Sequence, residues 1–154
     1  GIALFLTLYI MSPVIDRINV EAYQPYLREE ISQEEVVERM VVPLKEFMLR
    51  NTEVDTLDHF LQISGTELRE DPMDYPLTVI VPSFMTTELK RGFIAGFLIY
   101  LPFLLVDIIV STTLMSMGMV MLPPAMVSMP FKLLLFVTVD GWELLFTSIA
   151  TVYR

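Results

Sequence analysis

The sequence predicts an all-α membrane protein of long helical hairpins, with a small acidic helical segment outside the membrane. Three observations predict it. Residues 92–131 run for forty positions with a single charge, Asp107. A bilayer core of about 30 Å takes about 20 apolar residues as helix, so this stretch is long enough to enter one. The chain is 54% hydrophobic, above the range of an ordinary soluble domain. Its net charge of −9 is also confined: residues 14–75 carry fifteen Asp/Glu against six Lys/Arg, and residues 76–154 carry four of each.

Residues 1–13 read as the end of an apolar helix, stopped near Ser12-Pro13 because proline removes a backbone donor and disfavours helix before it. Fifteen charge-free residues precede Asp16, short of a full span, and they lack the positive start of a signal peptide. The expectation is that an upstream part of the gene product precedes Gly1. Residues 14–76 read as the acidic extramembrane helical segment. Ser32-Gln-Glu-Glu35 is a capping box, with a hydroxyl for the orphan amides and Glu at the third helical position. Val36, Val37, Met40, Val41, Leu44, Phe47 and Met48 then follow helical spacing. Pro43 interrupts that stripe and predicts a kink or two shorter helices. A second short helix over 55–64 ends at Gly65, and 70–76 is a loop.

Residues 77–154 form the apolar hairpin. Through 121 they are apolar apart from Glu88, Lys90, Arg91 and Asp107. Residues 122–130 hold three prolines, Pro123, Pro124 and Pro130, and read as a turn or re-entrant segment. Residues 130–153 form a last helix that Pro130 can start without losing a needed hydrogen bond. The 14–76 segment lacks the Lys/Arg excess of a cytoplasmic loop, which places it on the non-cytoplasmic side.

Chemistry has few candidates. There is no cysteine, hence no disulfide and no thiolate metal site. His59 is the only histidine, and it sits on a polar helix face without further soft ligands, so it reads as a solvated residue. A Ser-His-Asp site would have to use it away from any apolar pocket. The glycines make no phosphate-cradling motif, and the acidic balance argues against nucleic acid. Asp107, Lys132 and Asp140 carry more weight, because ionisable groups in apolar segments pair, face a protein interior or line a water path. Snorkelling of Lys132 to headgroups is the alternative, and Glu88 is a further candidate partner. Trp142 fits either an interfacial anchor or a packed core. Met115, Met117, Met119 and Met121 alternate beside Gly118 and a Pro-Pro pair. Unbranched thioethers repack around irregular neighbours, so the cluster is either an adaptable lining or core filler.

The ordered motifs Glu88-Leu-Lys-Arg-Gly-Phe, Gly96-Phe-Leu-Ile-Tyr-Leu-Pro102-Phe103-Leu-Leu-Val-Asp107, Leu114 to Pro124, Pro130-Phe-Lys132 and Asp140-Gly141-Trp142 resemble the FliP family. So do Met11-Ser-Pro13-Val and Lys45-Glu-Phe-Met-Leu-Arg50-Asn-Thr. These are membrane proteins of the flagellar type III export apparatus, and the virulence secretion family SctR is a close relative. The resemblance implies a non-enzymatic subunit without cofactor or metal. It would assemble as a pentamer into a helical ring with FliQ-like and FliR-like subunits, beside FlhB-like and FlhA-like export proteins. Unfolded flagellar subunits would pass through the centre. Its place would be the bacterial inner membrane at the flagellar basal body, with the acidic segment periplasmic. The family's methionine gasket maps to Gly118, Met119, Val120 and Met121, with Met115 and Met117 as neighbours in a pore-lining loop over 115–130. Glu88 and Lys132 look like a structural ion pair within or between subunits, with Asp107 a further packing charge. Pro102, Gly118, Pro123, Pro124 and Pro130 would shape the hairpin and its loop. The competing reading is a small-solute transporter subunit using Asp107 and Lys132 as a coupling site, with a broken helix at mid-membrane.

Overall fold

The computed structural model describes residues 1–118 and 124–153, and among them every regular element is helical. The chain divides into two compact units. The first holds Gly1–Leu89 with the residues from Val152 onward, and the second holds Lys90–Thr151.

In the first unit, α1 spans Ile2–Ile18 and continues through a π-helical turn, Asn19–Tyr23, into α2, Gln24–Leu27. The expected stop at Ser12-Pro13 does not occur: Pro13 lies inside α1. Proline there deletes one bond, to the Tyr9 carbonyl, and the long apolar run on its N-terminal side carries the helix past it. α3 spans Gln33–Arg50, and Ser32 caps it by accepting from the Glu35 N–H at 3.1 Å. The reciprocal half of the box is not made, because the Glu35 carboxylate turns to Arg39 at 2.6 Å. Pro43 does not divide α3 either. Its ring is fully buried, so packing offsets the bond it removes.

α4, Val54–Ser64, ends as expected at Gly65, whose φ of 64° is the left-handed conformation that glycine adopts without strain. The Thr66 N–H then reaches back to the Leu61 carbonyl at 3.1 Å. A 3₁₀ turn, Pro72–Asp74, occupies the 70–76 loop. Leu61, Tyr75, Val79 and Ile80 form the buried core, with Met48, Leu49, Leu57 and Phe60 packed against it. Thr87, fully buried, accepts from the Glu53 N–H at 3.2 Å and so ties the start of α4 to the helix that begins at Leu77. Arg17 joins α1 to α3 through Glu46 at 2.5 Å.

α5 runs unbroken over Leu77–Ser116, forty residues and hence about 60 Å, roughly twice a bilayer core. Its first dozen residues build the core of the first unit. Its remainder begins the second unit and is followed by α6, Pro124–Thr138, and α7, Gly141–Val152. Two corrections to the sequence reading arise here. Residues 124–130 are helix rather than a re-entrant loop, and Pro130 lies inside α6 rather than at a helix start. The apolar stretch after it is two helices, bent by 57°. The break falls at Val139-Asp140, where Asp140 takes a φ of 49°, a conformation that a short polar side chain tolerates. Ile2–Leu27 and Leu77–Ser116 are each long and apolar enough to cross a membrane, and α6 with α7 makes a third span if the bent pair counts as one. The chain is an all-α membrane protein.

Candidate functional site

The second unit is organised around a charged pair, Asp107 and Lys132. Ser128 and Lys132 stand four residues apart on α6, hence on one helix face. Both reach Asp107 on α5. Lys132 Nζ lies 2.8 Å from Asp107 Oδ2, and Ser128 Oγ donates to Asp107 Oδ1 at 2.8 Å. Each carboxylate oxygen therefore has its own donor, as a charge in an apolar surrounding requires. One turn earlier on α5, Phe103 packs on Phe136, one turn beyond Lys132, with ring centroids 6.1 Å apart. These pairings fix α5 and α6 as an antiparallel hairpin and set their register.

The base of the hairpin is aromatic. Phe136 meets the edge of Trp142 at 5.0 Å, and Trp142 lies 5.8 Å from Phe146. A Cβ on Gly141 would fall 2.5 Å from the Phe136 ring, so only glycine allows α7 to start so close to α6. Trp142 thus joins the aromatic cluster while leaving more than half its surface exposed.

At the other end, residues 117–123 join α5 to α6. Met115 and Met117 are strongly exposed, 74% and 63%, so neither fills a core within this chain. Gly118 has a φ of 73°, which begins the turn. Met119, Val120, Met121 and Pro123 lie outside the described residues. Pro124 opens α6, and Pro102 sits within α5 rather than at a turn.

Glu88 and Lys132 have different partners in this chain. Lys132 is held by Asp107, whereas the Glu88 carboxylate accepts from the Tyr153 hydroxyl. The Tyr153 ring stacks on Phe47 at 6.0 Å, and Phe47 meets the edge of Phe84 at 6.0 Å. His59 packs edge-on to Phe60, and no group of three metal-ligating side chains occurs among the described residues.

Against known proteins, residues 1–149 match the model of the FliP family. The chain belongs to that family. Among curated relatives, it is 48% identical over 156 residues to the flagellar biosynthetic protein FliP of Aquifex aeolicus, covering 100% of this chain and 65% of the relative. It is 46% identical to the protein of that name from Pectobacterium carotovorum, over 97% of this chain and 58% of the relative. The Bacillus subtilis protein of the same name is 47% identical, over 97% of this chain and 67% of its own length. The chain thus spans about two thirds or less of the FliP proteins it matches. The family match runs through the clamp, the hairpin and the aromatic base alike.

Sequence reasoning singled out Asp107 and Lys132 but missed Ser128, Tyr153 and the close approach at Gly141. Ser128 had a signal: it is a hydroxyl four residues before the lysine, on the same face of an apolar helix. Tyr153 had none, since its partners Phe47 and Glu88 are distant in sequence.

Proposed function

We propose that this FliP-family chain is a core subunit of the flagellar type III protein export gate, a non-enzymatic component of flagellar biogenesis. Several copies, five by family resemblance, would surround a channel with FliQ-like and FliR-like subunits, in the inner membrane at the basal body. FlhB-like and FlhA-like export proteins would be further partners, and the acidic segment 14–76 would face the periplasm. The observation that carries the reading is the family match over residues 1–149, which includes the whole α5–α6 hairpin.

The hairpin supplies a mechanism. Met115 stands in the last turn of α5, and the connection carries Met117, Met119 and Met121, with Val120 between the last two. A gate must close against ions when idle and accept unfolded chains of any sequence when active. Methionine suits both tasks, because its flexible thioether closes over itself or over a passing side chain with little strain. The Asp107 clamp would hold the two arms in register beneath that seal, so that the loop alone yields. Exposed Met115 and Met117 favour a lining over core filler.

A defined complex with several copies of this chain and both partners is the expected result of native mass spectrometry, after co-expression and extraction in mild detergent. Replacing Met119 and Met121 together by alanine should then raise closed-state ion leakage through that complex. Unchanged leakage would remove the methionines from the seal.

The transporter reading keeps one observation in its favour, the 57° break between α6 and α7, since substrate sites lie at discontinuous helices. It ranks second because Asp107 and Lys132 are already satisfied by one another and by Ser128. A lone monomer or simple dimer, reproducible across detergents, would move the conclusion to it.

A further inference from the structure

Pro25 has no N–H, so the Glu21 carbonyl four residues before it loses the donor an α-helix would supply. The helix loosens just there. Asn19–Tyr23 is a π-helical turn, and the Gln24 N–H bonds back to Asn19, five residues away. Such turns are rare and occur mostly where a helix has a further task. The displaced carbonyl is met from another helix: Arg39 on α3 donates Nη1 to the Glu21 oxygen at 3.3 Å. Glu35 holds that guanidinium from its own helix, 2.6 Å from Nη2. Ala22 is fully buried at the same turn, so one side of the junction is packed. The other side is open, a groove of about 400 Å³ lined by Val20, Glu21, Pro25, Arg39 and Val42.

We propose that Pro25, Glu21 and Arg39 form a pinned hinge, in which proline frees a carbonyl and the arginine captures it to set the angle between α1 and α3. Pro25 and the π-helical turn make the bend possible, the groove gives it room, and Arg39 fixes one position. The Arg17–Glu46 pair crosses between the same helices with side chains 43% and 34% exposed, and a single partly exposed pair contributes little alone. What the hinge steers is the N-terminal part of α1, where Ile2, Phe5 and Tyr9 lie exposed on a helix apolar enough to enter a membrane. The device thus governs how that apolar arm leaves the acidic unit, whatever passes elsewhere in the assembly.

The chemistry predicts a specific rescue. Alanine at position 25 restores an N–H to the Glu21 carbonyl, and Arg39 is then no longer needed there. Spin labels at Thr7 and Glu38, on the full chain in lipid nanodiscs, report the α1–α3 distance by double electron–electron resonance. The parent should give one narrow distance, and Arg39→Ala should lose that single peak. Pro25→Ala with Arg39→Ala should regain it, and Glu35→Gln alone should keep it. If Arg39→Ala cannot be isolated folded, recovery of folded protein by adding Pro25→Ala carries the same conclusion. An unchanged distribution in Arg39→Ala, or no recovery in the double variant, overturns the hinge.

Discussion

Asp107 is a carboxylate in the middle of forty otherwise uncharged residues, and its surroundings explain why it is tolerated. Lys132 matches its charge and Ser128 takes its second oxygen. Ser128→Ala should weaken the hairpin by about 0.6–1.7 kcal/mol, the range for hydrogen bonds between helices in membranes. Unfolding in mixed micelles followed by circular dichroism would measure it. Charge reversal at either end, Asp107→Lys or Lys132→Asp, should abolish co-purification with FliQ-like and FliR-like partners. The double exchange should restore much of it, because the pair is local to one hairpin. If the exchange restored nothing, Asp107 or Lys132 would have a second partner that depends on its sign. The sequence made Asp107 and Lys132 visible because charge in an apolar run is costly. The spacing of Ser128 from Lys132 was a weaker signal, because hydroxyls in such helices usually bond their own backbone, as Thr112 and Thr113 do here.

At the level of helices, what could be read depended on the signal each boundary leaves. Caps were legible: Ser32 opens α3 and Gly65 closes α4 where their chemistry requires. Ser32→Ala should therefore cost about 1 kcal/mol of stability in urea or thermal unfolding of the acidic unit within the full chain. Prolines misled. Pro13, Pro43, Pro102 and Pro130 all lie inside helices, because burial or an apolar surrounding outweighs one lost bond. The real break, between α6 and α7, was marked by Asp140-Gly141 rather than by any proline. Only the packed structure shows why glycine is needed there, with the Phe136 ring standing where a Cβ would fall. Gly141→Ala should force that ring aside at about 1–3 kcal/mol, read as a loss of thermal stability in detergent. A glycine kept only for flexibility would show no such loss.

Taken whole, the molecule leaves a great deal of apolar surface uncovered. Phe93, Phe97, Tyr100, Leu105, Ile108 and Ile109 are all exposed along the second part of α5. A single chain has no internal use for such a surface, and either lipid or neighbouring subunits must cover it. This is why composition revealed a membrane protein while the number and arrangement of copies entered only through family resemblance. The same helix supplies a test of where cover begins. α5 is about twice as long as a bilayer core is thick, and the charges Glu88, Lys90 and Arg91 divide its two parts. Because the chain has no cysteine, single cysteines can be introduced on a clean background. Met85→Cys, before the charges, should react readily with a membrane-impermeant maleimide in sealed vesicles of the appropriate orientation. Leu105→Cys should be protected in both orientations until detergent is added. Equal labelling of the two would mean that the second part of α5 faces water, and the apolar hairpin would then need an aqueous rather than a membrane or subunit setting.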